Sequence, residues 1–110
     1  MPRGVQLLKL CLGLSESDVE VLLALLDGGR RTAPEIAAAL GLSRSSVSRA
    51  LARLAELGLA EVERVRTGKP GRPRLVYRAA GDAYERIAAR IDECVERAKA
   101  ELSEMLRGRR

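Results

Sequence analysis

Serine and arginine side chains are concentrated between residues 43 and 53, where the apolar residues recur at helical spacing. When that apolar stripe faces inward, at about 100° per residue, the small and basic side chains face outward. Serine can bond to phosphates or base edges, and arginine can bind guanine through O6 and N7 in the major groove. A solvated helix face is the alternative, but it more often carries Glu and Lys pairs. We expect contacts with double-stranded DNA from Arg44, Ser45, Ser46, Ser48, Arg49 and Arg53.

Basic side chains are also dense between residues 64 and 78, which contain no acid. The tip of this segment carries Gly71-Arg72-Pro73, a core that resembles the AT-hook peptide of the minor groove. Proline restricts the unbound chain, glycine permits close approach, and arginine is attracted by the negative potential of a narrow minor groove. A solvated basic tip is the alternative. We expect Arg72 to enter the minor groove, Arg66, Lys69 and Arg74 to contact phosphates, and Arg64 to belong to the same surface.

The positive charge of the chain is confined to this central block. The net charge of the 110 residues is +5, and residues 44–80, with nine basic and three acidic side chains, contribute +6. Residues 1–43 contribute −1 and residues 81–110 contribute zero. A localised excess of positive charge indicates a binding surface for a polyanion. If the chain were basic only because its whole proteome is basic, the excess would be distributed evenly along the sequence. The aromatic content of 2% disfavours stacking on unpaired bases, so duplex DNA is the expected partner.

Residue types that catalytic and metal sites need are scarce. The chain has no His, and its two cysteines, Cys11 and Cys94, form no Cys-x-x-Cys pair. A zinc site of the usual spacing is therefore excluded within one chain, and we expect neither an enzyme nor a cofactor. Cys94 borders an apolar helix face, so we interpret it as a buried structural thiol, with redox sensing through Cys11 or Cys94 as the second hypothesis.

No apolar stretch approaches the ~20 residues that span a bilayer, and no secretory signal is visible. We therefore expect a cytoplasmic, nucleoid-associated protein without a membrane partner.

The predicted elements run helix, helix, helix, strand, loop, strand, helix. Capping patterns mark three of the helix starts: Ser17 with Glu20, Thr32 with Glu35, and Asp82 with Glu85. We predict helices over 4–12, 16–27, Thr32 to Gly41 and 44–57, strands over 59–66 and 74–80, and a long helix from Gly81 onward.

Residues 33–52 have the pattern of a helix-turn-helix motif. Gly41 permits a sharp turn, because a left-handed backbone is cheap only without a Cβ. Leu42 fills the corner, and Ala37 is small where the two helices cross. The inner faces consist of Ile36, Ala37 and Leu40 on one helix and Val47, Ala50, Leu51 and Leu54 on the next. The alternative is an ordinary helix pair with a glycine turn, which the outward serines and arginines disfavour.

Apolar residues of the last helix follow a heptad seam over three repeats. A helix of about 25 residues is ~37 Å long, too long to bury its seam on so small a domain. We therefore expect a homodimer, parallel or antiparallel, although packing within one chain is the alternative. The predicted interface consists of Tyr84, Ile87, Ala88, Ile91, Val95, Ala98, Leu102 and Met105. We expect the first helix to complete it.

Residues 15–80 resemble the winged-helix domain of TrmB-type regulators and, more widely, of the MarR and ArsR groups. The resemblance is carried by Ser15-Glu16-Ser17-Asp18, the run from Thr32 to Ala37, the run from Gly41 to Leu51, and the run from Leu54 to Leu59. It implies a winged helix-turn-helix. Together with the heptad seam of the last helix, we expect a mainly α fold with a small β-hairpin: a winged helix-turn-helix over 1–80 followed by a dimerisation helix over 81–110. TrmB-type proteins carry a large sugar-binding domain after the winged helix, and we expect a compact regulator without it, similar to small archaeal winged-helix proteins.

These observations predict a dimeric, sequence-specific transcriptional regulator, with repression as the expected outcome. Helix 44–57 would enter the major groove and the wing, residues 66–74, the minor groove. An architectural chromatin-type protein with low sequence specificity is one alternative. A winged-helix module that assembles transcription machinery through protein contacts is another. A small-molecule effector of the MarR kind also stays open.

Overall fold

The computed structural model describes residues 3–66, 68 and 70–109. Within these residues, five helices and one antiparallel hairpin follow each other in the predicted order. They are α1 (Arg3–Leu12), α2 (Glu16–Leu26), α3 (Ala33–Leu40), α4 (Arg44–Glu56), β1 (Ala60–Val65), β2 (Arg74–Ala79) and α5 (Ala83–Arg107). The predicted fold class, mainly α with a small β-hairpin and a long last helix, is confirmed.

The start of α2 is capped two residues earlier than predicted. Ser15, not Ser17, is the N-cap: its Oγ accepts the Asp18 N–H at 3.2 Å, and the Asp18 carboxylate accepts the Ser15 N–H at 2.9 Å. A capping box needs a hydroxyl and, three residues on, an acid, and the sequence offers that pattern twice. The box with Ser15 leaves Asp18 buried, whereas Glu20 is exposed to solvent.

The other two capping patterns have opposite outcomes. At α3 the prediction is confirmed, because Thr32 Oγ1 accepts the Glu35 N–H at 3.3 Å and the Glu35 carboxylate accepts the Thr32 N–H at 2.8 Å. At α5 the helix begins after Asp82 as predicted, but the predicted side-chain cap is wrong. Asp82 has φ −105° and ψ 24° instead of the extended backbone of a cap, and its carboxylate accepts a hydrogen bond from Arg86 Nε at 2.9 Å.

A single apolar core joins α2, α3 and α4. Every residue predicted for the inner faces of the helix-turn-helix lies in or against this core. Ile36, Ala37, Val47, Ala50, Leu51 and Leu54 are buried, and Leu40 and Leu42 are partly buried. Complete burial of a leucine or valine side chain stabilises the fold by about 2 kcal/mol, so these positions orient α4.

The turn between α3 and α4 depends on Gly41. Its φ of 66° and ψ of 30° lie in the left-handed region, where a Cβ costs about 1 kcal/mol or more. The Gly41 and Leu42 N–H groups both point back to the Ala37 carbonyl, the second at 3.1 Å. This closes the end of α3 and brings α4 across it.

Backbone hydrogen bonds attach the hairpin to the loop before α3. The Arg31 N–H donates to the Tyr77 carbonyl at 2.9 Å, and the Tyr77 N–H donates to the Arg31 carbonyl at 2.7 Å. The Tyr77 side chain is partly buried against the core. The base of the hairpin is thereby fixed beside α3.

The helices α1 and α5 pack together, and a disulfide bond joins Cys11 to Cys94. The interpretation of Cys94 as a buried free thiol is therefore wrong. The two cysteines are 83 positions apart in sequence, yet their Cα atoms are 5.4 Å apart because α1 lies along α5. No helix in the described part of the chain is long and apolar enough to cross a membrane.

Replacement of Gly41 by alanine should destabilise the fold by about 1 kcal/mol, because the left-handed backbone becomes strained. A Cβ at Gly41 would meet no atom within 4 Å, so no steric clash adds to the backbone strain. Urea denaturation measures the change in the free energy of unfolding.

The matched control is Gly81→Ala, where a Cβ also meets no atom within 4 Å and the backbone is not left-handed. It should leave stability unchanged or slightly increased. Equal losses in the two variants would contradict this account of the turn.

Candidate nucleic-acid interface

The outward face of α4 carries the predicted recognition residues. Ser43 caps the helix, and its Oγ accepts the Ser46 N–H at 3.1 Å. Because the inner stripe of α4 is buried, the opposite side is open to solvent. Its exposed members are Arg44, Ser45, Ser48, Arg49 and Ala52, and Ser46 beside them is partly buried. We call Ser45, Ser48, Arg49 and Ala52 the recognition face. Its orientation agrees with the sequence analysis, and its DNA contacts stay predictions.

Arg53, at the edge of this face, is held by a buried carboxylate. Its NH1 atom donates to Asp18 Oδ2 at 2.6 Å, and the Asp18 side chain is only 5% exposed. Asp18 thus accepts hydrogen bonds both from the start of α2 and from α4. The sequence does not reveal this link, because an acid three residues after a serine indicates a cap but does not show which other helix is near. The Arg53 side chain is 48% exposed, and its DNA contact remains a prediction.

A polar cleft of about 240 Å³ lies between the start of α2 and one side of α4. Serine hydroxyls and arginine guanidinium groups dominate its lining, together with the Asp18 carboxylate. The lining residues are Ser15, Ser17, Asp18, Ser46, Arg49 and Arg53. This chemistry suits a phosphate oxygen at the edge of the recognition face, because hydroxyl and guanidinium groups donate hydrogen bonds to phosphate.

A second groove, of about 560 Å³, separates α4 from the hairpin. Ser48 of the recognition face and Arg74 of β2 both line it, so the structure brings together one residue from each predicted DNA-contacting segment. The other lining residues are Thr32, Ala33, Pro34, Glu35, Leu75 and Tyr77. A duplex that reached both segments would cross this groove.

Glu35 places one negative charge in that groove. The Thr32 backbone N–H and hydroxyl both donate to its carboxylate and lower its pKa, and the positive charges of Arg74 and Arg31 lower it further. Since the folded-state pKa lies below the ordinary value, the contribution of this cap is present above that value and is lost as the pH falls through the folded pKa. Glu35 is therefore ionised at neutral pH.

The acids of β1 are neutralised by neighbouring arginines. Glu61 accepts a hydrogen bond from Arg78 Nε at 3.1 Å, and Glu63 accepts one from Arg30 NH2 at 2.7 Å. Side chains alternate along a strand, so Arg64 lies on the opposite side of β1. Its cross-strand partner there is Leu75, which lines the groove beside α4.

The other basic side chains of the wing that the structure describes are exposed. Within the described part of the chain, no ion pair involves Arg64, Arg66, Arg72 or Arg74. Lys69, predicted to contact phosphate, lies outside the described residues. The tip also contains Gly71 at φ 135°, a conformation that favours glycine and leaves Arg72 without a neighbouring side chain on that side.

Some residues of the predicted dimer seam on α5 pack within the chain, and the others are exposed to solvent. Ile87 and Ile91 are partly buried against the core. The other six residues are exposed, and they are Tyr84, Ala88, Val95, Ala98, Leu102 and Met105. The residues from Val95 to Arg109 are all exposed, so the second half of α5 projects beyond the rest of the chain.

Comparison with known protein families identifies this architecture. The family model described as "Sugar-specific transcriptional regulator TrmB" matches residues 8–81, which include the helix-turn-helix and the hairpin. The chain belongs to the TrmB family. The resemblance seen in the sequence is thereby confirmed. This TrmB-family protein is a DNA-binding transcriptional regulator.

Solved structures show the same fold. The ST1889 protein of the thermoacidophilic archaeon Sulfolobus tokodaii is similar over 88% of this chain and 92% of its own, with 24% identity and a TM-score of 0.76. A possible transcriptional regulator of Methanosarcina mazei is similar over 94% and 85%, with 19% identity and a TM-score of 0.76. TrmBL2, an archaeal chromatin protein, is similar over 97% of this chain and 38% of its own, with 24% identity and a TM-score of 0.60. No curated protein matches the sequence.

Replacement of Asp18 by asparagine should destabilise the TrmB-family fold by about 1–2 kcal/mol, because the buried partner of Arg53 loses its charge. This loss of stability is smaller than that expected for a fully buried ion pair, since about half of the Arg53 side chain is in solvent. Thermal or urea denaturation checks the change.

Glu61→Gln serves as the control, because the Glu61–Arg78 pair is exposed on both sides. We expect it to cost less than about 0.5 kcal/mol. If both substitutions cost the same, Asp18 does not link α2 to α4 in the way described.

Proposed function

We propose that this TrmB-family protein is a dimeric, sequence-specific regulator of transcription that binds double-stranded DNA. Residues 1–80 form the DNA-binding domain and residues 81–110 form the dimerisation helix. The observation that carries the proposal is the position of the recognition face beside the exposed arginines of the wing, across one groove. Repression follows where the bound dimer covers a promoter and excludes the polymerase.

In this proposal α4 enters the major groove. The small side chains of Ser45 and Ser48 allow the helix axis to come close to the bases, and Arg49 is long enough to reach a guanine edge. An arginine that binds O6 and N7 of guanine contributes about 1–3 kcal/mol of discrimination against other bases. Arg44 and Ser46, near the helix start, and Arg53, near its end, contact the flanking phosphates.

The wing contacts the adjacent minor groove. Arg72 lies between Gly71 and Pro73, so its approach to the groove floor is sterically open, and a narrow A·T-rich groove offers the strongest negative potential. Arg64, Arg66, Lys69 and Arg74 contact phosphates along the groove edges. The pairing of Glu61 and Glu63 with arginines supports this role, since it reduces the repulsion between β1 and the DNA.

Arg72→Ala should weaken binding to a duplex with A·T-rich flanks by about tenfold, and binding to a duplex with G·C-rich flanks by much less. The loss depends on flanks because the minor groove is narrow only in A·T-rich DNA. Fluorescence anisotropy with labelled duplexes that differ only in the flanks measures both affinities.

Two variants separate this effect from a general loss of charge. Arg97→Ala removes the same charge from an exposed site on α5 and should change neither affinity appreciably, while Arg49→Ala should weaken both duplexes equally. An equal loss with both flanks for Arg72→Ala would refute the minor-groove contact.

The dimer is formed by the α5 seam. Val95, Ala98, Leu102 and Met105 form an apolar stripe on the projecting half of the helix, and the same stripe on a second copy is complementary to it. Residues 81–110 carry seven basic and seven acidic side chains, so two copies do not repel each other through net charge. Two winged domains held in this way can contact half-sites about one DNA turn, ~34 Å, apart.

Leu102→Glu should convert the dimer to a monomer at micromolar concentration, because it places two like charges in the apolar seam. The control is Ala100→Glu, which adds the same charge two residues away, outside the seam. Sedimentation equilibrium measures the association. A wild-type protein that is monomeric at micromolar concentration would contradict the proposed dimer.

An architectural role is the second candidate, because the fold is also that of TrmBL2, an archaeal chromatin protein. Such a protein would bind all duplexes with similar affinity. The ratio of specific to non-specific affinity separates the two roles, since regulators typically bind their sites 10³-fold or more tightly than other DNA.

A further inference from the structure

The helix α1 is held to the rest of the chain by apolar packing and one covalent bond. Val5, Leu8 and Leu12 pack in or against the core, and Cys11 is bonded to Cys94 of α5. Within the described residues, no ion pair joins α1 to another element. The cysteine Cα separation of 5.4 Å is usual for a disulfide, so the bond fits the packing of these helices.

Apolar side chains are exposed on α1 beside this bond. Leu7 is 44% exposed and Leu10 is 77% exposed. Leu7 is one helical turn before Cys11 and lies on the same side of α1, so it is on the side of the helix that carries the bond to α5. Val95, the neighbour of Cys94, is 39% exposed. We call the surface made by Leu7, Leu10, Val95, Ala98 and Leu102 the composite face.

We propose that the composite face is the docking surface for a second copy of this chain, and that the Cys11–Cys94 bond determines whether it is complete. The inference rests on the dimer of the proposed function. It adds α1 to the dimer interface and makes the strength of the dimer depend on the redox state of the two cysteines. A second copy is the occupant because three of the five residues of the face belong to the α5 seam, which the proposed function already assigns to a second copy. The α5 part of the face, residues 81–110, has no net charge, and α1 adds only the positive charges of Arg3 and Lys9. The oxidised chain dimerises tightly, and the reduced chain dimerises weakly because α1 is released from α5.

Release of α1 requires a dithiol reductant. One thiolate of the reductant attacks a sulfur of the Cys11–Cys94 bond, and the second resolves the mixed disulfide. Two electrons and two protons pass to the protein, which gains two thiols, while the reductant becomes a cyclic disulfide. Both cysteines are only partly buried, so a small reductant can reach them.

A bond that merely stabilises the single chain would behave differently. Its reduction would lower the melting temperature without changing the dimer dissociation constant of the folded protein. The test therefore measures association at a temperature well below the melting transition of every sample, as followed by circular dichroism. Sedimentation equilibrium is carried out on the oxidised chain, the chain reduced with dithiothreitol, and the Cys11→Ala/Cys94→Ala variant with and without dithiothreitol.

We expect the dimer dissociation constant to rise about tenfold or more on reduction, and the double variant to match the reduced chain and ignore the reductant. Leu10→Gln keeps the bond and should weaken the dimer as well, whereas Leu23→Gln, the same change at an exposed leucine of α2, should not. Leu10→Gln also tests the face if the double variant does not fold.

The possible failures are distinguishable. A monomeric oxidised chain overturns the proposed dimer together with this inference. An oxidised dimer whose dissociation constant is unchanged by reduction, or by Leu10→Gln, overturns only the composite face and leaves the proposed DNA-binding dimer in place. Two free thiols in the air-oxidised protein likewise overturn only the redox condition.

Discussion

Burial of the apolar stripe of α4 is the constraint on which the interface depends. Val47, Leu51 and Leu54 are almost completely buried, and each contributes about 2 kcal/mol. An exposed ion pair contributes less than about 1 kcal/mol, so the rotation of α4 about its axis is determined by the core. Once the apolar stripe is buried, the side chains of Ser45, Ser48 and Arg49 must face either solvent or a ligand. The Asp18–Arg53 pair then secures the edge of α4 against α2.

Electrostatics determine which surface of the fold is positive, and this is the surface that the proposed function assigns to DNA. The acids of β1 are bound to Arg78 and Arg30, and Asp18 is bound to Arg53, so few carboxylates oppose the exposed arginines of α4 and the wing. Glu35 is one exception, ionised in the groove between these two segments, where its hydrogen bonds from Thr32 serve the start of α3. Its charge partly offsets that of Arg74. The groove therefore suits a duplex that passes across it better than a phosphate bound deep inside it.

Local patterns in the sequence predicted the fold well because each is a short-range physical effect. The helical spacing from Ile36 to Leu54, the left-handed glycine at position 41 and the alternation of β1 all act within a few residues. The errors arose where two local patterns competed or where partners were distant. Ser15 and Ser17 offered equivalent caps, and Asp82 had an alternative partner in Arg86. The Asp18–Arg53 pair and the Cys11–Cys94 bond join residues 35 and 83 positions apart, and no periodicity reports such contacts.

The central claim, sequence-specific recognition of duplex DNA by a dimer, is tested most directly by selecting binding sites from random duplexes and titrating the selected site against salt. Each phosphate contact should add about −0.9 to the slope of log affinity against log salt. The account predicts an enriched motif with two symmetric half-sites, a steep slope, and a preference of ~10³ or more over a scrambled duplex. A steep slope without an enriched motif would contradict sequence specificity, and the absence of binding at low salt would contradict a DNA-binding role altogether.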